Sequence, residues 1–480
     1  MPSALPRIGS GTLACLVVAA AALVIRLPAL GDPNYHMDEQ FYLLFGEMMT
    51  QGALPYVDVW DRKPVGLFLL YAVFALFGDG LLAYQLGALL AAGGTAMLIC
   101  AAAMRRTGPA VAAAAGIVYL LALEFFMGGG GQSPIFYNLP VMLAFLLLLR
   151  SCEREGETDI FPGAAAMLLC GLAVAVKPTA LFEGAGIGLG FLWLWHRRGV
   201  GFRPLLQRVF WFALCGGGPS LAGAALMYAL GAGPAYIQAA FISVFERTAE
   251  GSLGWPQARK MLILLSPLMA PTLLFCALGK ARAPLAFYVV GAFAGFFVVP
   301  NFFVHYALPL LPPFILAAVW MFRSDRLRGV YLAVLALMLA VPGQRLSAEP
   351  HLRSKETTAA LARTVGAHLD GGCLYVYDGP VSLYRETGAC KVTPYLFPEH
   401  LNFARERFAL PQPADEAMRG ALAARPAVIV TRPRPIVPAP NRQNFALLSE
   451  ELERSYEPVA TLPETTVEGE RDVIIWALKR

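Results

Sequence analysis

Twelve apolar runs recur between Gly11 and Val341, several of them as long as the roughly 20 residues a helix needs to cross a bilayer. They lie near 11–30, 64–78, 81–104, 107–126, 135–150, 161–176, 179–196, 207–230, 260–279, 283–300, 306–322 and 328–343. Composition agrees. The chain is 57% hydrophobic and only 15% charged, where a soluble protein carries roughly a quarter charged residues. The expected fold class is an α-helical polytopic membrane protein. The first run follows a short segment holding only Arg7 and is long for a signal-peptide core, so it reads as an uncleaved span.

From about Pro342 the character turns soluble, with 17 basic and 17 acidic residues after Val341. Two domains are therefore expected, 1–343 in the membrane and 344–480 outside it. The net charge of +5 belongs wholly to the membrane part. Its cations are scattered over many short loops, which reports topology and not nucleic-acid binding.

Cationic clusters mark cytoplasmic ends: Arg105/Arg106, Arg150/Arg154, Arg197/Arg198/Arg203/Arg208, Lys280/Arg282 and Arg323/Arg326/Arg328. With the N-terminus inside and all twelve runs spanning, every cluster would face outward. Removing one run before residue 105 repairs all five. "PVGLFLLYAVFALFG" (64–78) is only about 15 residues and is flanked by Lys63 and Asp79, so it reads as a helix in the outer interface. About eleven spans remain, with 14 Lys/Arg inside and seven outside.

Residues 31–80 then form one large outer loop holding two short helices, about 38–51 and 64–78, joined by "GALPYVDVWDRK". The other outer loops are "GGGGQSPIFYN", the turn at Lys177–Thr179, "GPAYIQAAFISVFERTAEGSLGWPQARK" and "NFFVHY". Carboxylates at a membrane surface stay hydrated cheaply, so Asp32, Glu47 and Asp79 read as solvated loop charges. Asp38 and Glu39 suit the first turn of a helix. The "DVWDRKP" cluster is harder to dismiss. Asp58, Asp61 and Lys63 alternate around Trp60, after Tyr56 and beside Arg62, and Pro64 opens a helix. A cation at a helix N-terminus suits a phosphate, and a nearby carboxylate suits proton abstraction.

The order "DE…Y…G.LPY.D.WDRKP", then "KPTAL", then "HYALPLLPP", resembles the GT-C superfamily of membrane glycosyltransferases, nearest the bacterial family-39-like and aminoarabinose-transferase-like enzymes. The likeness covers the whole membrane part. It departs at Val65, where such proteins usually read Lys-Pro-Pro. The resemblance implies a GT-C fold with interfacial helices in the first outer loop and a small C-terminal periplasmic α/β domain. It implies a polyprenyl-phosphate sugar donor, a lipid, glycan or protein acceptor, and inversion at the anomeric carbon. Carried over by motif position, Asp38 is the base and Glu39 its helper or structural partner. Lys63 contacts the donor phosphate, and Asp61 orients the site or holds a metal. No cofactor is demanded; a divalent metal stays open.

Lys177, at an outer helix end, either snorkels to the interface or makes a second phosphate contact. His305 and Tyr306 share a very short outer loop, packed residues or donor-phosphate ligands. Arg247 lies in a loop long enough to reach the cavity. Glu124 and Glu183, near outer span ends, are further candidates for its lining. "MGGGGQS" lacks the Lys-Ser/Thr of a phosphate loop and reads as a flexible connection. Six cysteines lie in spans or face inward; Cys373 and Cys390 lie outside, where oxidising conditions permit a disulfide. The outer domain reads as an α/β fold: helix "SKETTAALARTVGAHL", strands "CLYVYDG" and "PAVIVTR", helix "NFALLSEELERSY" and strand "DVIIWALK". No convincing catalytic set is visible in it.

The expected function is a bacterial inner-membrane glycosyltransferase working on the periplasmic face, with a cytoplasmic N-terminus. A transporter of similar span count is the rival, but no internal repeat relates two halves. A ligase using a lipid-diphosphate donor would need more outer cations than seven.

Overall fold

The computed structural model describes residues 9–156, 158–248, 254–278, 283–299, 301–340 and 346–479. Arg7, Lys280, Arg282, the 341–345 junction and residues 249–253 lie outside the described residues. The chain is mainly helical, and each of the twelve apolar runs lies on a helix. Among the described residues, six are long and apolar enough to cross a membrane: Ser10–Ala29, Gly80–Ala103, Ser133–Glu153, Phe202–Ala229, Gly254–Ala277 and Val304–Met321. Pro109–Phe125, Phe161–Val176 and Ala283–Val298 are shorter apolar helices. Val65–Ala75 has 11 residues, about 16 Å of helix against roughly 30 Å of hydrocarbon.

Contacts divide the chain into two compact units. The first comprises Met1–Pro28, Leu86–Ser220 and Leu253–Leu346. In it, helices Ala180–Arg197 and Ala283–Val298 meet through glycines. A Cβ on Gly186 would lie 2.3 Å from the Phe287 carbonyl oxygen, and one on Gly291 would lie 2.3 Å from that of Phe182. Small residues let membrane helices approach this closely. The first helix buries Ala14, Val18, Ala22 and Arg26 along one stripe. Arg26 donates to the Gly128 and Gly130 carbonyls at 2.9 and 2.8 Å, with Glu124 at 3.7 Å. The glycine run is therefore an acceptor for a buried guanidinium, and Glu124 serves the same cation.

The second unit comprises Ala29–Gln85, Leu221–Ser252 and Ser347–Arg480. The first-loop helices form at Met37–Thr50 and Val65–Ala75. They touch at Gly46, where a Cβ would sit 2.6 Å from the Ala72 nitrogen. The C-terminal part carries one five-stranded sheet of order β2-β1-β3-β5-β4. Its strands are β1 Cys373–Val376, β2 Cys390–Lys391, β3 Val428–Thr431, β4 Tyr456–Thr466 and β5 Gly469–Leu478. β1 is parallel to β2 and β3, and β5 is antiparallel to β3 and β4. Cys373 and Cys390, register partners on neighbouring strands, form a disulfide.

Several expectations need correction. The outer loop from Gly128 ends early, because Pro134 suits a first helical turn and the helix starts at Ser133. The expected loop 233–260 folds into short helices over 233–246, and a long helix begins at Gly254. Strand β4 was not anticipated. Its "YEPVATLPETT" contains Pro458 and Pro463, which suit only an edge strand, and β4 is one. Asp32 is not solvated, and Glu47 is half-buried and paired. Asp32 is buried and bonded to Ser354 at 2.6 Å and His351 at 2.9 Å. Glu47 accepts from Arg385 at 2.8 Å, and Asp79 pairs with the same guanidinium at 3.2 Å.

Candidate functional site

The peptide Tyr56–Lys63 turns sharply between the two first-loop helices. Tyr56 takes a positive φ of 66°, a strained conformation for a residue with a side chain, and its hydroxyl donates to the Lys63 carbonyl at 2.8 Å. Asp61 closes the turn by accepting from the Lys63 amide at 2.8 Å. Lys63 is thereby fixed from both sides before its side chain begins.

Its ammonium lies 3.4 Å from both Asp61 carboxylate oxygens and 3.7 Å from Asp38 Oδ1. The Tyr42 and Phe397 rings stand 5.0 and 5.5 Å away, within cation–π range. Lys63 keeps 27% of its side chain exposed and Asp38 16%, whereas Asp61 has none. Burial pushes the Asp61 carboxyl up, but Lys63, His400 and Arg62 outweigh it and hold the group well below the usual carboxylate range.

Asp38 sits in the first turn of the Met37–Thr50 helix, where the backbone dipole favours an anion. His36 caps that turn, accepting from the Asp38 amide at 3.2 Å. Glu39, about 100° further round the helix, is fully buried. Its position suits a structural partner and leaves Asp38 as the accessible carboxylate. Asp58 turns the other way, accepting from the Leu54 amide at 2.6 Å in an exposed turn.

Arg62 and Arg247 both engage Glu406, which is fully buried. Arg247 donates to Glu406 Oε1 from Nε at 2.9 Å and from a terminal nitrogen at 2.5 Å. Burial and the neighbouring Arg62 pull the Arg247 guanidinium down to about 10.

Lys177, His305 and Tyr306 belong to the other unit. The Lys177 ammonium stands 4.7 Å from the Tyr306 ring centre, and the His305 and Tyr306 rings are 4.9 Å apart. Lys177 and Tyr306 line a cavity with Tyr137, Thr179 and Glu183.

No family model and no curated protein matches the sequence. Solved structures do. ArnT from Cupriavidus metallidurans in the apo state superposes with a TM-score of 0.62 over 96% of this chain and 97% of that one, at 15% identity. The same protein bound to undecaprenyl phosphate gives 0.63 over 97% and 98%, at 14% identity. The chain has the fold of ArnT. In this chain the motif residues Asp38, Lys63 and Asp61 converge. The C-terminal segment also supplies Phe397, His400 and Glu406, which sequence reasoning missed. The one available signal was "PEHLNFARER" (398–407), a dense run of charge and histidine in an otherwise ordinary domain.

Proposed function

We propose that the chain is a glycosyltransferase that moves a sugar from a polyprenyl-phosphate donor to a lipid, glycan or protein acceptor. It works at the periplasmic face of a bacterial inner membrane, with the N-terminus cytoplasmic, residues 1–343 as the membrane module and 344–480 as a periplasmic α/β domain. The observation that carries this reading is the Asp38 carboxylate 3.7 Å from the Lys63 ammonium. Asp38 takes the proton of the acceptor hydroxyl as that oxygen attacks the anomeric carbon. The bond to phosphate breaks with inversion. The phosphodiester, carrying one negative charge, becomes a monoester that gains a second, and Lys63 offsets it. Buried Asp61 holds the ammonium in place. Arg62 and Arg247 supply further donors for the anionic lipid, and Tyr56 holds the backbone of the turn.

The deciding experiment is transfer by purified protein from radiolabelled polyprenyl-phosphate sugars to membrane extracts. The expected result is a labelled product together with released polyprenyl monophosphate. Uptake of free solute into vesicles without any transfer overturns the reading in favour of a transporter. Activity only with lipid-diphosphate donors favours a ligase. Chelation in the same assay decides whether His36 and Asp38, an imidazole nitrogen and a carboxylate oxygen 3.6 Å apart, recruit a divalent metal.

Donor binding should also depend on pH. Burial, with Asp38 and Glu406 nearby, pushes the Glu399 carboxyl up to about 7, against the pull of Arg62 and Lys63. Glu399 is neutral below that value and adds a negative charge above it. The donor phosphodiester keeps one charge throughout, so its affinity should fall as pH rises through about 7. Equilibrium binding from pH 6 to 8 checks this, and Glu399→Gln should flatten the profile. An unchanged slope in that variant removes Glu399 from the site.

A further inference from the structure

We propose that the short segment Phe397–Asn402 of the C-terminal domain is a positioning element for the leaving phosphate, acting through His400 on Asp61 and through Phe397 on the Lys63 ammonium. This rests on the glycosyltransferase reading above and extends it to residues that no motif in the membrane part contains.

His400 Nε2 lies 3.3 Å from Asp61 Oδ2. Both side chains are fully buried. An ionised carboxylate can only accept, so the imidazole carries its proton on Nε2 and donates it. Burial pushes the imidazole below its ordinary value despite Asp61, which keeps it neutral. Nδ1 has no hydrogen-bond partner among the described residues. A buried ring nitrogen without a partner is costly, so the polar anchoring of the imidazole rests on the bond from Nε2 to Asp61. Rings enclose the imidazole: Trp60 at 4.7 Å, Phe397 at 5.5 Å and Phe41 at 6.0 Å between centres. Water is thereby kept from the Asp61–His400 bond, and the low local dielectric strengthens it.

The segment is clamped at both sides. The Trp60 amide donates to the Pro394 carbonyl at 3.0 Å, which ties it to the first loop. Asn402 donates to the Tyr377 carbonyl at 3.2 Å just past β1, and Asn444 donates to the Leu401 carbonyl at 2.9 Å. The domain therefore supplies a rigid wall, and Asp61 transmits its position to the lysine. Asp61 accepts from both the amide and the ammonium of Lys63. Without His400, Asp61 keeps the amide bond but can rotate its other oxygen away from the ammonium.

The test uses the purified full chain, with farnesyl phosphate as a probe for the departing dianion. His400→Leu should lower kcat by up to about 100-fold, the loss typical when a catalytic charge is displaced by about 1 Å. Donor KM should move less than farnesyl phosphate affinity, because the second charge exists only on the leaving group. His400→Gln, whose amide nitrogen reaches the Nε2 position, should recover most of the loss. His400→Asn, whose amide matches Nδ1, should not. Phe397→Leu, which keeps the volume and removes the ring face, should cost about three-fold. Thermal melting of each variant separates loss of fold from loss of position. Equal recovery by Asn and Gln, or kcat and farnesyl phosphate affinity unchanged in folded His400→Leu, overturns the proposal. If the folded wild-type chain transfers no sugar, the glycosyltransferase assignment itself has failed; normal transfer by folded Lys63→Ala leaves that assignment standing and removes Lys63 from the site.

Discussion

Asp38→Asn should reduce turnover by about 10²- to 10⁴-fold, the contribution typical of a positioned general base, while leaving the melting temperature nearly unchanged. The amide keeps the shape of the carboxylate and His36 still caps the helix, but the amide cannot take a proton. Asp38 keeps 16% of its side chain exposed, so its loss leaves no stranded charge in the core. Lys63→Ala should cost about 10²- to 10³-fold in kcat, as expected when a charge-stabilising donor is removed. It should also lower stability, because buried Asp61 loses its principal cation. Single-turnover transfer with saturating donor, beside melting curves, reads both effects. Normal turnover in folded Asp38→Asn excludes Asp38 as the base.

Glu406→Ala should destabilise the protein by about 3–5 kcal/mol, the cost of removing one partner from a buried ion pair. Arg62 and Arg247 would be left beside each other with their shared carboxylate gone. Their side chains are only 12% and 15% exposed, which leaves little water to replace it. Burial pushes the Glu406 carboxyl up, but Arg62 and Arg247 outweigh it and hold the group below its ordinary value. A depressed acid stabilises the fold at pH values above its unfolded pKa of about 4.5. That contribution is lost as pH falls further through the folded value. The variant should therefore melt lower at neutral pH and show a shallower loss of stability on acidification. Chemical or thermal unfolding of detergent-solubilised protein measures both, and an unchanged melting point shows that the two arginines find other partners.

Particular residues show how far the sequence could be read. The twelve apolar runs all lie on helices, and each was legible because hydropathy is a local sum that neighbouring residues carry by themselves. The pairing of Cys373 with Cys390 was also within reach, since both fall in one soluble segment. The first-loop motif pointed to Asp38, Asp61 and Lys63, which the turn at Tyr56 brings together. The sequence misjudged Asp32 and Glu47, whose partners Ser354, His351 and Arg385 lie some 300 residues away. It misjudged β4 because edge strands tolerate prolines that interior strands exclude. Asp58, which looked like a member of the cluster, serves its own turn at Leu54.

By itself, then, the chain determined that it would be a bundle of apolar helices with a soluble C-terminal part, and that a lysine and several acids would crowd one loop. Only the tertiary structure decided which of those charges are buried and what neutralises them. His400 meets Asp61 across 339 residues and Glu406 meets Arg62 across 344. Hydrophobic partition acts on each segment independently, whereas an ion pair forms only where the whole path of the backbone brings two groups to the same point.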